Sequence, residues 1–239
     1  MSDFSPENFP VLQFNPNAWG WFQAACADLE IPIDNDKKQR LERIYSHLLG
    51  VNEFMNLTRI LTQEDYLKYH VFDSLTALSL VEHYTEPGDN LADLGSGGGY
   101  PGLPLATWLP NRRWTLIDSR AKKVAFLKEA IPLTGCKNGC ARAFRGREAK
   151  SAAPDLYQKC KLLTARAVGQ AADLLPDADA LLAQNGIFLL MKGQSYPTEE
   201  RPAFLKALPK IGFTLMEEHN IALDESDPDR WLILAMKTK

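Results

Sequence analysis

The chain has no run of about 18 apolar residues, so no segment of it reads as a membrane span. It is poor in cysteine. Cys26, Cys136, Cys140 and Cys160 are the whole set, and no pair has the two-residue spacing of a zinc knuckle. Free, reduced thiols in a cytoplasmic protein, with no metal, are the expectation. There are only four histidines and no Gly-x-Ser-x-Gly elbow, so no nucleophile–base signature is present. The stretch from Met1 to Pro10 lacks the basic start and apolar core of a signal peptide and reads as a loose terminus. Charge of neither sign dominates: the formal net charge is −3. That argues against binding nucleic acid by overall charge and leaves only a local patch to do so. There is no internal repeat and no low-complexity tract.

The composition is that of an ordinary globular protein, 45% hydrophobic and 24% charged. The first part reads as helices. Trp19, Phe22, Cys26 and Leu29 recur at helical spacing. Asp34 or Asn35 caps a second helix with Leu41, Ile44, Tyr45, Leu48 and Leu49 on its apolar face and Gly50 near its end. A third runs from about Gln63 to His83. After the turn Glu86-Pro87-Gly88-Asp89 the pattern changes to strands near 90–94, 114–118, 140–144, 161–165 and 186–191, with helices between them. That alternation predicts an α/β fold, a mostly parallel sheet covered on both faces. Two last strands, near 213–221 and 230–236, have no helix between them and predict an antiparallel hairpin at one edge, making seven strands. The division expected is a helical extension over residues 1–88 and a ligand-binding domain over 89–239.

The first strand runs into Gly95-Ser96-Gly97-Gly98-Gly99. Glycines there let the backbone turn sharply and admit a ligand close to the main chain, next to the free N–H groups of the following helix. Two cofactors compete for such a loop. Gly97, Gly99 and Gly102 match a dinucleotide fingerprint, and Asp118 lies 21 residues past Gly97, about where a ribose-binding acid belongs. S-adenosylmethionine is favoured by Asp93 inside the strand end, by the density of the glycines, and by the long helical segment ahead of the fold. On that reading Asp118, ending the second strand, accepts hydrogen bonds from the ribose hydroxyls.

From about residue 47 to 195 the chain resembles the RsmG (GidB) family of bacterial methyltransferases. The matching pieces are Asn56-Leu57-Thr58, His70 with Asp73-Ser74, the Asp93-to-Ala106 loop and helix, and Leu116-Ile117-Asp118-Ser119 with Lys122-Lys123 and Phe126-Leu127. Arg166-Ala167 and Met191-Lys192-Gly193 complete the set. The resemblance implies a class I methyltransferase (Rossmann-like) fold and methylation of guanine N7 in 16S ribosomal RNA with S-adenosylmethionine. It implies cofactor contacts at Gly95, Tyr100, Asp118, Ser119, Arg120, the Gly146-Arg147-Glu148 turn and Arg166. Asp93, Gly97 and Gly99 join them from the loop itself.

Guanine N7 carries an exposed lone pair, so no general base is expected, and rate comes from alignment and electrostatics. His70, Arg166 and Lys192 are the candidates for positioning substrate. Each has a plainer reading: an ordered helix junction, a structural ion pair, a solvated strand end. Lys122, Lys123, Arg145, Arg147 and Lys192 are the candidate phosphate contacts for the small-subunit RNA, and Tyr100, Phe144 and Tyr196 the candidate stacking rings. A methyltransferase for a small molecule or protein, a non-catalytic module in ribosome assembly, and a nicotinamide-dependent oxidoreductase remain as alternatives.

Overall fold

The computed structural model describes residues 4–224 and 227–239. Its centre is a seven-stranded sheet in the order β3-β2-β1-β4-β5-β7-β6. The strands are β1 (Asn90–Leu94), β2 (Arg113–Asp118), β3 (Cys140–Ala143), β4 (Cys160–Arg166), β5 (Leu182–Gly193), β6 (Phe213–Ile221) and β7 (Arg230–Lys237). β1 to β5 are parallel, while β7 runs antiparallel to β5 and to β6. The expected hairpin is present, with its second strand on the inside. Chain order reverses between β1 and β4, the place where an open parallel sheet leaves a crevice at its carboxyl edge.

Side chains alternate across a strand, and both faces of this sheet are apolar. Leu162, Ile187, Leu189, Leu232 and Leu234 share one core with the helical N-terminal stretch. Leu163, Phe188, Leu190, Ile233 and Ala235 share the other with the Leu175–Leu181 and Arg201–Ile211 helices. The N-terminal helices therefore cover a face that would otherwise meet water. α1 (Pro16–Asp28) is capped by Asn15, whose side chain accepts from the Ala18 amide at 2.8 Å. α2 (Asn35–Asn52) is capped by Asp34, accepting from Lys37 at 2.8 Å. Leu29, on the expected apolar face, lies just past the end of α1 and is half exposed.

Gly50 stands near the end of α2 as expected, two residues before its last, Asn52. Two expectations need correction. The helix expected over Gln63 to His83 is in pieces: Gln63–Asp65, a π-helical segment Tyr66–Phe72, Asp73–Leu75, and Leu78–Tyr84. Side-chain hydroxyls reach back to the main chain here, Ser74 to the His70 carbonyl (2.5 Å) and Thr76 to the Asp73 carbonyl (2.7 Å), a bonding that bends helices. Finally, of the loose terminus expected up to Pro10, residues 1–3 lie outside the described residues, but the rest is docked. The segment runs antiparallel along α2: Phe14 donates its amide to Glu42, Leu12 to Ser46, and Phe9 lies against Gly50. The His47 imidazole donates to the Phe4 carbonyl at 2.7 Å.

Gly50 is thus a packing residue. A Cβ placed there would stand 2.1 Å from the Phe9 ring. Gly→Ala within a helix ordinarily stabilises by about 1 kcal/mol. Here we expect Gly50→Ala to destabilise by roughly 1–3 kcal/mol through overpacking, and the sign to reverse in a Phe9→Ala background. Urea unfolding of the two single variants and the double variant checks both signs.

Candidate active site

The glycine loop is organised from below by Asp93. This carboxylate, with no exposed surface, accepts from the Gly102 amide (3.2 Å) and from the Thr164 hydroxyl (2.9 Å). It joins β1, β4 and the start of the Gly102–Trp108 helix. Only a glycine fits at 102, because a Cβ there would come within 2.8 Å of the Asp93 carboxylate. Burial pushes the Asp93 pKa up to about 6, against hydrogen bonds from Ser96, Thr164 and Gly102 and the nearby Arg166 charge. Above the loop, Asp118 accepts from the Gly97 amide (3.0 Å) on one oxygen and from the Arg120 amide (2.8 Å) on the other. Each oxygen has a second lone pair for a ligand. Gly95 is in the left-handed region at φ 69°, and Val168 would stand 2.4 Å from a Cβ on it.

Two cavities open at this edge of the sheet. The smaller, about 190 Å³, is lined by Gly95, Asp118, Ser119, Arg145, Gly146 and Arg147 from the predicted set, with Leu94, Ile117, Phe144 and Val168 as apolar walls. The Gly146–Glu148 turn is pinned by Asp177, whose carboxylate takes the Arg147 amide (2.7 Å) and its guanidinium (2.7 Å). The larger cavity, about 520 Å³, is lined by His70, Arg166 and Lys192, with Asp73, Glu200, Arg230 and Trp231. The segment 166–169 separates the two: Ala167 lines the larger and Val168 the smaller. Ala167 has φ 56°, a strained conformation for a residue with a Cβ.

In the larger cavity Arg166 holds the N-terminal helices to β4. Its guanidinium pairs with Asp73 at 2.6 Å, donates to the Tyr69 carbonyl at 3.0 Å, and lies over the Tyr100 ring. His70 stacks on Tyr100 with centroids 4.1 Å apart. Arginine only donates, so His70 Nδ1, 3.3 Å from it, is the acceptor, and Nε2–H donates to the Thr58 hydroxyl at 2.8 Å. Burial first, then the Arg166 charge, hold the imidazole far below its usual range, at about 3. Lys192 is committed to the protein: its ammonium pairs with Glu200 (2.7 Å) and donates to the Gly169 carbonyl (2.6 Å).

The remaining predicted residues lie around these cavities. Gly97 and Gly99 shape the loop; Tyr100 is packed behind it. The Lys123 ammonium lies 3.5 Å from where a Cβ on Gly97 would stand, whereas Lys122 is exposed. Glu148 is exposed and accepts from the Arg145 amide at 3.2 Å. The candidate stacking rings Tyr100, Phe144 and Tyr196 are all buried. Sequence reasoning passed over Asp177, Glu200, Arg230 and Val168, since nothing local distinguishes them. Among the described residues, no group of three or more His, Cys, Asp or Glu side chains could hold a metal ion, and no helix is long and apolar enough to cross a membrane.

The family model described as "GidB: rRNA small subunit methyltransferase G" matches residues 37–208. A Lactobacillus acidophilus protein named ribosomal RNA small subunit methyltransferase G is 33% identical over 208 residues, covering 87% of this chain and 85% of its own. A Sorangium cellulosum protein of the same name is 36% identical over 197 residues, covering 78% and 81%. Among solved structures, TYW2 of M. jannaschii in complex with AdoMet superposes with a TM-score of 0.51 at 16% identity, over 69% of this chain and 74% of that one. That likeness concerns the fold.

Asp118→Ala should weaken S-adenosylmethionine binding by roughly 1–3 kcal/mol, the worth of lost charge-assisted hydrogen bonds; unchanged affinity by calorimetry removes Asp118 from the site. The depressed His70 pKa has a sign that can be measured. Stability due to the neutral imidazole is fully present above the unfolded value of about 6.5 and is lost as pH falls toward the folded one. The stability gap between wild type and His70→Gln should therefore shrink as the pH is lowered from 7 to 4. A constant gap overturns the neutral-imidazole assignment.

Proposed function

The chain belongs to the GidB family of small-subunit ribosomal RNA methyltransferases, and from that premise we propose that it methylates N7 of a guanine in 16S ribosomal RNA, with S-adenosylmethionine as donor. The observation that carries the site assignment is the shared wall. The two cavities adjoin at residues 166–169, so a cofactor in the smaller and a base in the larger would lie side by side at the edge of that segment. Residues 89–239 form the catalytic domain on this reading. The extension, residues 1–88, completes the base cavity with Ile60, Tyr69, His70 and Asp73.

The residues fit the cofactor. Asp118 has lone pairs left for ribose hydroxyls, Gly95 and Gly97 bring bare backbone to the site, and Ile117, Phe144 and Val168 offer an apolar slot for a flat ring. When bound, S-adenosylmethionine supplies an electrophilic methyl group on a sulfonium. The chain needs no base, because N7 attacks through its own lone pair. Its task is to hold the target in line with the methyl and to exclude water. Arg166, fixed by Asp73 and Tyr69, sets the position of the wall, and Lys192 holds the other end of it through the Gly169 carbonyl. The Asp73 and Glu200 carboxylates that line the cavity are paired with Arg166 and Lys192, so they serve to hold those two side chains in place.

On the RNA side, Arg145 and Arg147 stand exposed at the rim of the cofactor cavity, with Lys122 exposed on the Ala121–Ala130 helix that follows β2. Arg145 and Lys122 serve phosphates and make binding salt-dependent, while the Arg147 guanidinium, exposed as it is, is held by Asp177. Lys192, paired inside, serves the wall instead.

Labelled methyl transfer from S-adenosylmethionine to 16S ribosomal RNA or to 30S subunits lacking the modification, with the product nucleoside identified by mass spectrometry, tests the reading. We expect 7-methylguanosine. Tight cofactor binding with no transfer to either substrate, or label on another atom, overturns it.

A further inference from the structure

Of all the phenylalanine, tyrosine and tryptophan side chains in the described residues, Phe54 alone is exposed, at 75%. An isolated exposed apolar residue is ordinary. This one stands in a loop that is held rather than loose. Asn52 accepts from the amides of Leu57 (2.8 Å) and Thr58 (3.0 Å) and closes the loop at its base. Phe54 and Met55 each donate to the Val51 carbonyl at 3.0 Å. Ile60 donates to the Thr58 hydroxyl, and the Tyr45 hydroxyl to the Leu61 carbonyl. The ring is presented to solvent by a fixed backbone.

The base of the same loop belongs to the candidate active site. Thr58 accepts from His70, Ile60 lines the larger cavity, and the Leu57 carbonyl lies 3.6 Å from where a Cβ on Gly98 would stand. Four residues of chain reach at most roughly 14 Å, so Phe54 stands no farther than that from Thr58, which is bonded to the cavity residue His70. Leu61, 54% exposed, flanks the loop on its far side. Glu53 and Arg59, both exposed, leave the loop formally neutral. Its means of holding a partner is therefore the face of a ring and not charge.

We propose that Phe54 stacks on a nucleobase of the ribosomal RNA next to the target guanine, and so holds the strand while the target occupies the cavity. The inference rests on the RNA methyltransferase reading. An aromatic face accepts any base, and stacking of this kind is a recurrent means of holding single-stranded nucleic acid. It supplies the stacking platform that the buried Tyr100, Phe144 and Tyr196 cannot offer.

The test compares Phe54→Ala, Phe54→Leu and Phe54→Tyr in the full chain. Methyl transfer to unmodified 30S subunits is measured alongside filter binding of unmodified 16S ribosomal RNA over a range of salt. Phe54→Ala and Phe54→Leu should raise KM and weaken RNA binding by about tenfold, while Phe54→Tyr behaves as wild type. Melting temperature, S-adenosylmethionine affinity and the salt slope of RNA binding should stay unchanged, since no charge is removed. Full activity in Phe54→Ala overturns the stack, as does rescue by leucine, which would mean apolar packing. A defect on assembled subunits without one on naked RNA also overturns it and points to a ribosomal protein contact. Absence of methyl transfer by the wild-type chain would sink the functional reading itself, whereas wild-type transfer with an indifferent Phe54 sinks only this inference.

Discussion

A single buried carboxylate ties the fold to its site. Asp93 ends the interior of β1, and its oxygens reach the Thr164 hydroxyl on β4 and the first amide of the Gly102–Trp108 helix. Burying a carboxylate without donors would be prohibitive. The raised pKa records how much of that cost remains even with donors present. What the arrangement gains is position. Two strands, a glycine loop and a helix start are fixed to one point, next to the place where strand order reverses. Asp118 then fastens the same loop from above through Gly97.

A second tie, between Arg166 and Asp73, joins the helical extension to the sheet. Both groups are largely buried, and the guanidinium also meets a carbonyl and a stacked His70–Tyr100 pair. Breaking one partner of such a pair leaves a charge without compensation, which makes the junction rigid even where its net contribution to stability is small. The strained Ala167 follows directly after it and forms the wall between the cavities. Backbone strain persists only where surrounding contacts over-determine it, and here Arg166 on one side and the Lys192–Gly169 contact on the other do so. The extension is thus part of both the core and the cavity.

Much of this was legible in the residues. The turn at 86–89, the strand start at Asn90, the second strand to within a residue of its start at Arg113, the cap at Asp34 and the helix start at Gly102 rest on local rules of period and capping, and local rules read well from sequence. Gly50 was legible as lying near the end of α2, but its packing role was not, because the partner that requires a glycine there is Phe9, 41 positions away in the chain. The π-helical Tyr66–Phe72 segment and the break after Leu75 left no signal either. They depend on hydroxyl back-bonding and on the pull of Arg166, and periodicity alone describes an uninterrupted helix.

The sequence by itself determined the fold class, the place of the glycine loop at the end of the first strand, and Asp118 at the end of the second. Each follows from contacts between residues near one another in the chain. Only the tertiary structure decided what the charged residues do. Lys192 and Arg166 look alike as cations at strand ends, yet one is spent on Glu200 and a carbonyl and the other on Asp73 and the helical extension. Phe54 and Phe144 look alike as rings, yet one is offered to solvent and the other buried. The reason is physical. A charge or a ring acquires its role from partners that packing brings from distant parts of the chain, and burial, which fixes its cost and its pKa, belongs to the folded molecule alone.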